Sequence, residues 1–271
     1  MNYTILISFM LSLILSYIGL PMIKNMLIES GVLCENFKSN KIPNAIGILF
    51  VFVQVITLGI IEIINPIYNE INLMYLLGFV FIGIIGLLDD LIGEKNIKGL
   101  KGHIKAFFHG KLTTGAIKAF LGLFISFLIS SYISSNILNF IINGLLIGLF
   151  TNSINLFDLR PGRAAKTFIL ISMLLMIFSS KSYVNHIIYS IYGLLIPYMI
   201  LDLRAEVMMG DTGANVLGFT LGVYSAGNFE MPTRIIILFV LILIHFLAEK
   251  FSFSKIIENN RILKYLDNIG R

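Results

Sequence analysis

Residues 73–90 read Leu-Met-Tyr-Leu-Leu-Gly-Phe-Val-Phe-Ile-Gly-Ile-Ile-Gly-Leu-Leu-Asp-Asp, an apolar run that ends in two adjacent carboxylates. A helix that spans a bilayer needs about 20 mostly apolar residues. Further runs of this kind lie at 3–21, 45–64, 116–134, 137–157, 167–180, 185–201, 212–226 and 233–249. Because backbone polar groups cannot stay unpaired in lipid, the runs are predicted to be helical. The sequence predicts an all-α bundle of about nine transmembrane helices, in which two of the shorter spans are compatible with tilting or internal packing.

The composition excludes a soluble protein. Hydrophobic residues make up 57% of the 271-residue chain and charged residues only 13%, with a mean hydropathy of +0.89. A soluble domain of this size carries roughly 25% charged residues. The apolar runs follow one another with short gaps, so residues 1–271 are predicted to form a single integral membrane domain. The lone cysteine, Cys34, cannot form an internal disulfide and is interpreted as an unreactive thiol.

The basic residues predict a topology. Lys24 follows the first apolar run, whereas a cleaved secretory signal carries its positive charge in front. We therefore predict a retained first helix with its N-terminus outside the cell. The cytoplasmic segments are then 22–44, 89–115, 158–166, 202–211 and a C-terminal tail at 250–271. All 20 Lys and Arg residues except Lys181 and Arg234 lie in these segments or directly beside them, as the positive-inside rule requires. This distribution explains the net charge of +5, and nucleic-acid binding is not predicted.

Four polar clusters fall on the predicted cytoplasmic side. The first is Asp89-Asp90, where the third span meets water. Adjacent carboxylates repel each other and are costly near hydrocarbon, so the pair makes sense if a cation or a proton-bearing substrate comes to it. A solvated helix end is the alternative.

The second cluster contains Asn152, Asn155 and Asp158, at the end of the fifth span. Steps of three place both amides and the carboxylate on one helical face. Such a stripe predicts a site that faces the bundle interior, with interhelical hydrogen bonding as the alternative. Arg160 and Arg163 follow at once, either to bind phosphate or only to satisfy the topology.

The third cluster is Gly210-Asp211-Thr212-Gly213, at the start of the eighth span. Its glycines permit close backbone approach, and a helix N-terminus offers free amides to a phosphate. Asp211 is therefore a candidate Mg²⁺ ligand, with helix capping as the alternative.

The fourth cluster contains Lys101 and Lys105, one helical turn apart in the loop 98–115. This loop is predicted to form an amphipathic interfacial helix that attracts a diphosphate or anionic lipid. Hard oxygen ligands without a Cys or His cluster favour Mg²⁺. Mg²⁺ with basic residues at a membrane face suits phosphoryl transfer, and the apolar surroundings indicate that one substrate is a lipid.

The clusters carry a specific resemblance. In order and spacing they resemble the motifs of the polyprenyl-phosphate N-acetylhexosamine-1-phosphate transferase family (glycosyltransferase family 4), here Asp89-Asp90, Asn152-x-x-Asn155-x-x-Asp158 and Met209-Gly210-Asp211-Thr212-Gly213. Ile42-Pro43 and Gly47 resemble the Pro and Gly of that family's first cytoplasmic loop. The likeness is collinear over about residues 36–225, so the chain is identified as a short, divergent member.

The resemblance implies transfer of a sugar-1-phosphate from a nucleotide diphosphate sugar to a polyprenyl phosphate, with Mg²⁺, at the cytoplasmic face of the plasma membrane during cell-envelope glycan synthesis. It implies catalytic roles for Asp89, Asp90, Asp158 and Asp211, the first two orienting or deprotonating the lipid phosphate. The implied metal ligands are Asp211, Asp158 and Asn155. Together with the basic clusters, the expected substrate-binding residues are Asn152, Asn155, Lys101, Lys105, Arg160, Arg163, Gly210, Thr212 and Gly213.

The chain also departs from the family. The second aspartate of the family's Asp-Gly-x-Asp-Gly sequence is here Pro161, and the bulky residue before Met-Gly-Asp is Met208. The histidine-rich loop is missing, and a short polar tail without a tenth spanning helix stands in its place. His245 lies inside the ninth span and is interpreted as a packed residue. In the family, the positions of Pro161 and Met208 belong to the region that holds the nucleotide base. We therefore predict that these two residues alter recognition of the base, while binding of the diphosphate is retained.

Two other functional classes stay open. A non-catalytic relative that binds polyprenyl phosphate or a lipid-linked precursor is favoured by the lost aspartate and histidine loop, and opposed by the retained aspartates. A transporter would need ionisable residues near the bilayer midplane, whereas this chain has nearly all of them at one face. The sequence names neither the sugar, the nucleotide nor the prenyl length, and it is compatible with a homodimer.

Overall fold

The computed structural model describes residues 3–66, 69–93, 102, 106, 108–179, 181 and 184–271. The described part is helical apart from its loops and one short hairpin. The long helices are α1 Tyr3–Glu29, α2 Gly47–Ile64, α3 Asn69–Ile92, α4 Thr114–Ile133, α5 Ile137–Ser153, α6 Arg163–Phe178, α7 Asn185–Leu203, α8 Gly210–Asn228 and α9 Met231–Lys250. Two short helices, α10 Phe253–Asn259 and α11 Arg261–Asn268, follow α9.

Each predicted span coincides with one of the long helices, so the prediction of an all-α polytopic membrane bundle is confirmed. Among the described residues, seven helices are long and apolar enough to cross a membrane. The other two are α6, with 16 residues, and α8, which is rich in glycine and polar side chains. Both belong to the shorter predicted spans.

Helix α8 lies at the centre of the bundle. Of its 19 residues, 17 are buried, and it packs against α2, α3, α5 and α6. Because α8 meets other helices rather than lipid, it tolerates buried polar residues such as Asn215 and Thr220. Its central position brings its first residues next to the ends of α3 and α5.

A hydrogen-bond network joins four helices in the interior. Tyr75 Oη of α3 lies 2.8 Å from Thr220 Oγ1 of α8 and accepts from Gln54 Nε2 of α2 at 3.3 Å. Ser190 of α7 donates to Gln54 Oε1 at 2.9 Å. Interhelical hydrogen bonds in membrane proteins contribute about 0.6 kcal/mol each. The network holds α8 in register with its neighbours.

Small residues bring α1 close to α7. Ser8, Ser12 and Ser16 are buried at intervals of four along α1. A Cβ on Gly193 of α7 would overlap α1 backbone atoms, and Ser16 Oγ donates to the Leu194 carbonyl at 2.9 Å. Such small-residue contacts are a common basis of helix packing in membranes. The first helix is therefore an integral part of the bundle.

The loop before α2 forms an antiparallel hairpin of β1 Leu33–Glu35 and β2 Lys41–Pro43. The Met208 N–H donates to the Pro43 carbonyl at 2.9 Å, and the Gly47 N–H donates to the Met209 carbonyl at 3.0 Å. These bonds attach the hairpin to the segment that leads into α8. Gly47 thus contacts Met209 of the Met-Gly-Asp motif directly, and Pro43 contacts Met208, the residue before it.

The tail after α9 is helical. Helices α10 and α11 have 7 and 8 residues, well below the roughly 20 that a spanning helix needs. Residues 253–271 therefore contain no helix long enough to span a bilayer.

The topology can be tested by cysteine labelling in a Cys34→Ser background. Single cysteines at Ser135 and Glu230, near the ends of α4 and α9, should react with a membrane-impermeant maleimide on intact cells. Cysteines at Lys38 and Lys255 should react only after permeabilisation, because the basic residues concentrate on that side. All four positions are exposed. Labelling of both pairs from the same side would contradict the predicted topology.

Candidate active site

Asp90, at the end of α3, caps the N-terminus of α8. Its Oδ1 accepts the Asp211 N–H at 2.8 Å, and its Oδ2 accepts the N–H and the hydroxyl of Thr212 at 2.9 and 2.6 Å. The N-cap position of α8 is Met209, whose side chain makes no capping bond. A neighbouring helix therefore satisfies the amides that a helix start leaves unpaired.

Glycines allow this close contact between helices. Gly210 has a φ of +68°, and a Cβ at this position would overlap the Asp90 carboxylate. A Cβ on Gly47 of α2 would overlap the backbone of Gly213. Side chains at these positions would force α8 away from α2 and α3.

Asp89 lies near Lys118 and Asp211 rather than at the α8 backbone amides that Asp90 caps. Lys118 of α4 forms an ion pair with Asp211, with Nζ 2.5 Å from Oδ2, and its Nζ lies 4.0 Å from Asp89 Oδ2. The three side chains are largely shielded, at 17–24% exposure. One lysine thus faces two carboxylates, and the group keeps a net negative charge.

Asp89, Lys118 and Asp211 line a cleft of about 500 Å³ between α3, α4, α5, α8 and α9. Further polar lining residues are Thr151, Asn152, Asn155, Asn215 and His245. Small or apolar lining residues further along α4 and α5 are Ala119, Gly122, Leu123, Gly148 and Leu149. The cleft therefore combines a charged region with walls that suit a hydrocarbon chain.

The expectation of one helical stripe through Asn152, Asn155 and Asp158 is wrong. Helix α5 ends at Ser153, and Asn155–Phe157 forms a turn of 3₁₀-helix. The tighter winding of a 3₁₀ turn changes the direction of the residues that follow it. Asn152 and Asn155 line the cleft, whereas Asp158 lines an adjoining pocket.

The adjoining pocket, of about 280 Å³, contains a second pair of carboxylates. Asp158 and Asp202 line it together with Phe37, Pro161 and Met208. Burial raises the pKa of Asp158 well above its usual range, and the nearby carboxylates, Asp202 first among them, raise it further. The two departures from the family pattern, at positions 161 and 208, therefore meet in one pocket.

The structure places Arg163 away from the cleft. Its Nε and Nη2 donate to the two carboxylate oxygens of Asp267, each at 2.8 Å, and its Nη1 donates to Ser254 Oγ at 2.9 Å. The residue is only 4% exposed. Its guanidinium is therefore engaged with the tail rather than open to a phosphate.

The other predicted basic residues have different positions. Arg160 lies at the adjoining pocket, over the Phe37 ring and 3.2 Å from the Glu258 carboxylate. Lys101 and Lys105, with the predicted interfacial helix around them, lie outside the described residues, so their proposed role stays a prediction.

Three residues at the site were not predicted. Lys118 lies just inside the fourth predicted span, where a lone ionisable residue is itself a signal of function. For Asp202, nothing in the sequence indicated a functional role beyond its position in a predicted cytoplasmic segment. His245 lines the cleft instead of being only packed; its Nδ1 lies 2.8 Å from the Leu241 carbonyl. Its Nε2 has no hydrogen-bond partner among the described residues.

The donor set of the cleft fits Mg²⁺. Asp89 and Asp211 provide carboxylates, Asn155 provides an amide oxygen, and Lys118 already places a positive charge beside both carboxylates. Among the described residues, no cluster of three His, Cys, Asp or Glu side chains could hold a metal by itself. Proteins commonly bind Mg²⁺ through one or two carboxylates plus substrate phosphates.

Comparison with known proteins shows which chains this one resembles. Phospho-N-acetylmuramoyl-pentapeptide-transferase of Clostridium perfringens strain 13 is 27% identical over 261 residues, covering 90% of this chain and 80% of the relative. The protein of the same name from strain SM101 is 26% identical and covers 90% and 79%. The family described as glycosyl transferase family 4 matches residues 72–228, which contain all the motif aspartates. This match extends over more than half of the chain, and the chain therefore belongs to glycosyl transferase family 4.

Proposed function

We propose that this protein transfers a sugar-1-phosphate from a nucleotide diphosphate sugar to a polyprenyl phosphate, with Mg²⁺, at the cytoplasmic face of the plasma membrane. The observation that carries the proposal is the cleft in which Asp89, Lys118 and Asp211 meet beside an apolar wall. A lipid phosphate needs both features, because its headgroup is charged and its chain is hydrocarbon. The names of the relatives support the same class of reaction.

In the net reaction, an oxygen of the lipid phosphate bonds to the phosphorus that carries the sugar. The bond from that phosphorus to the nucleoside monophosphate breaks, and the nucleoside monophosphate leaves with the electron pair. Lys118 would stabilise the negative charge on the transferred group, as fixed positive charges do in phosphoryl transfer. Asp89 would accept the proton of a lipid phosphate that arrives as a monoanion.

The diphosphate of the donor would lie at the start of α8. Asp211 and Asn155 would hold Mg²⁺ there, and the bound ion would supply positive charge to the diphosphate. Asp158, in the adjoining pocket, would act on the nucleotide side of the donor. Asp90 would not touch substrate, because its carboxylate already accepts three hydrogen bonds from Asp211 and Thr212. We assign Asp90 a positioning role and Asp89 the catalytic role of the pair.

Asp211→Asn should lower transferase activity at least about a hundredfold, as for loss of an electrostatic stabiliser of the transition state. The substitution keeps the size and hydrogen-bonding capacity of the side chain but removes the charge that Mg²⁺ needs. Mg²⁺ should also raise the Tm of the purified wild-type protein and not that of the variant. Glu206→Gln, which removes a more distant carboxylate, is the matched control and should remain active. Near-normal activity of Asp211→Asn would remove this residue from the mechanism.

Asp89→Asn and Asp90→Asn should differ although the residues are adjacent. Hydrogen bonds to a charged acceptor contribute about 1.5–3 kcal/mol each. Asp90→Asn should therefore lower both the Tm and the activity, since it weakens the cap of α8. Asp89→Asn should lower activity with a much smaller loss of Tm, because the α8 backbone amides are capped by Asp90 and not by Asp89. The measurements are thermal unfolding and initial rates on the detergent-purified variants. Equal loss of Tm in both would refute the assignment.

The donor base should differ from that of the muramoyl-pentapeptide enzyme. Pro161 offers no side-chain acceptor for a base edge, and Met208 is a flexible apolar surface. A site that loses a hydrogen-bonding partner also loses discrimination between substrates. Rates with uridine, cytidine and guanosine diphosphate sugars would measure this difference. A strong preference for the uridine muramoyl-pentapeptide donor would contradict the prediction.

The same assays separate an enzyme from a non-catalytic relative. A relative that only binds polyprenyl phosphate would retain the lipid in the cleft and show no turnover with any donor. The lost aspartate at position 161 favours that alternative, whereas the Asp89–Lys118–Asp211 arrangement favours catalysis.

A further inference from the structure

The C-terminal segment 253–271, which contains α10 and α11, folds back against the connection between α5 and α6. This connection, the turn 154–162, carries Asn155 and Asp158 of the candidate site. The segment lies outside residues 72–228, which match the family, so the family match does not describe it.

The turn 154–162 has little regular structure of its own. After the 3₁₀ turn, Asp158 has φ −78° and ψ 55°, and Gly162 is left-handed with a φ of 72°. Irregular backbone of this kind keeps its shape through contacts with its surroundings. One such contact is the hydrogen bond from the Gly162 N–H to Asp202 Oδ2 at 3.0 Å. The C-terminal segment provides several more.

The main contact is a buried ion pair between Asp267 and Arg163, the first residue of α6, which directly follows the turn. Both hydrogen bonds measure 2.8 Å, and the two side chains are 10% and 5% exposed. Arg271 donates to the same carboxylate at 2.9 and 3.0 Å. Burial would raise the pKa of Asp267, but the hydrogen bonds from Arg163 and Arg271 outweigh it and hold this pKa below its usual value. The carboxylate therefore stays charged at neutral pH.

Two further contacts reach the turn on either side of Asp158. The Phe253 ring stacks on the Phe157 ring, with centroids 5.3 Å apart and an angle of 10° between the planes. Arg271 Nε donates to the Pro161 carbonyl at 2.7 Å. The segment thus fixes the residue before Asp158 and a residue shortly after it.

We propose that the segment 253–271 is a positioning element of the site and that Asp267 is its central residue. Through Arg163 and Arg271, Asp267 holds the turn 154–162 so that Asn155 faces the cleft and Asp158 faces the adjoining pocket. It contacts no substrate. The consequence for catalysis rests on the proposed function, whereas the consequence for the turn does not.

The first test compares Asp267→Asn with Lys264→Gln by hydrogen exchange on the full-length purified protein. Lys264 is exposed on the same helix, so Lys264→Gln is the matched control for a change of one charge unit. Backbone amides of 155–163 should exchange about tenfold faster in Asp267→Asn and remain unchanged in the control. Amides at the start of α8 should not change in either variant. Arg271→Gln provides a milder variant in case Asp267→Asn folds poorly.

The second test is kinetic. A misplacement of about 1 Å at a catalytic group can lower the rate as much as a hundredfold. We expect Asp267→Asn to lower kcat/KM for the donor between about ten- and a hundredfold, with the KM for the lipid unchanged. A merely structural role would reduce the amount of folded enzyme and leave the donor KM as it is. The double variant Arg163→Gln/Asp267→Asn, which restores a neutral hydrogen-bonding pair, should recover part of the loss.

The two readouts separate the possible failures. Exchange in 155–163 that is identical in Asp267→Asn, Arg271→Gln and Lys264→Gln would overturn the positioning role. If the wild-type protein transfers no sugar phosphate, the proposed function fails, and faster exchange in Asp267→Asn would still support the positioning role. Faster exchange of 155–163 in Asp267→Asn with unchanged donor kinetics would show that the positioning of the turn has no effect on catalysis.

Discussion

The geometry of the site depends on the Asp90 carboxylate at the start of α8. Helix α8 begins inside the bundle, and unpaired amides in such a place would each cost a few kcal/mol. Asp90 satisfies them from α3, and the glycine at position 210 gives its carboxylate the necessary room. The hydrogen bond from the Asp211 N–H to Asp90 fixes the backbone position from which the Asp211 side chain extends. Because Asp89 is the neighbour of Asp90 on α3, the same contact also fixes Asp89 relative to Asp211.

This arrangement concentrates negative charge at one end of the bundle. The positive end of the α8 dipole stabilises nearby carboxylates, and Lys118 pairs with Asp211. Asp158 and Asp202 add two further acidic side chains in the adjoining pocket, where burial raises the pKa of Asp158 well above its usual range. A diphosphate alone would be repelled by such a region, whereas a diphosphate that brings a divalent cation would be attracted. Under the proposed function, a diphosphate donor would therefore bind more readily with its divalent cation than without it.

Much of the fold could be predicted from the sequence, because every long helix carries a run of apolar residues. The motif aspartates were also predicted, since order and spacing survive divergence. The different environments of Asp89 and Asp90 could not be predicted from the sequence, because only the packing of α3 on α8 distinguishes the two residues. The break between Asn155 and Asp158 was missed because a three-residue period suits both an α-helix and a 3₁₀ turn. The tail was read as a short polar segment, since its order depends on contacts such as Asp267 with Arg163, which are distant in sequence.

The cleft and the adjoining pocket are held by different parts of the structure. Asp89, Lys118 and Asp211 belong to helices of the buried bundle, where a change of one side chain disturbs several helices at once. Pro161 and Met208 belong to connecting segments, supported by the hairpin 33–43 and by the C-terminal segment. Substitutions in the connections can therefore alter the adjoining pocket without moving the carboxylates of the cleft. This separation gives a physical reason why a divergent member can keep the carboxylates of the cleft while the adjoining pocket changes.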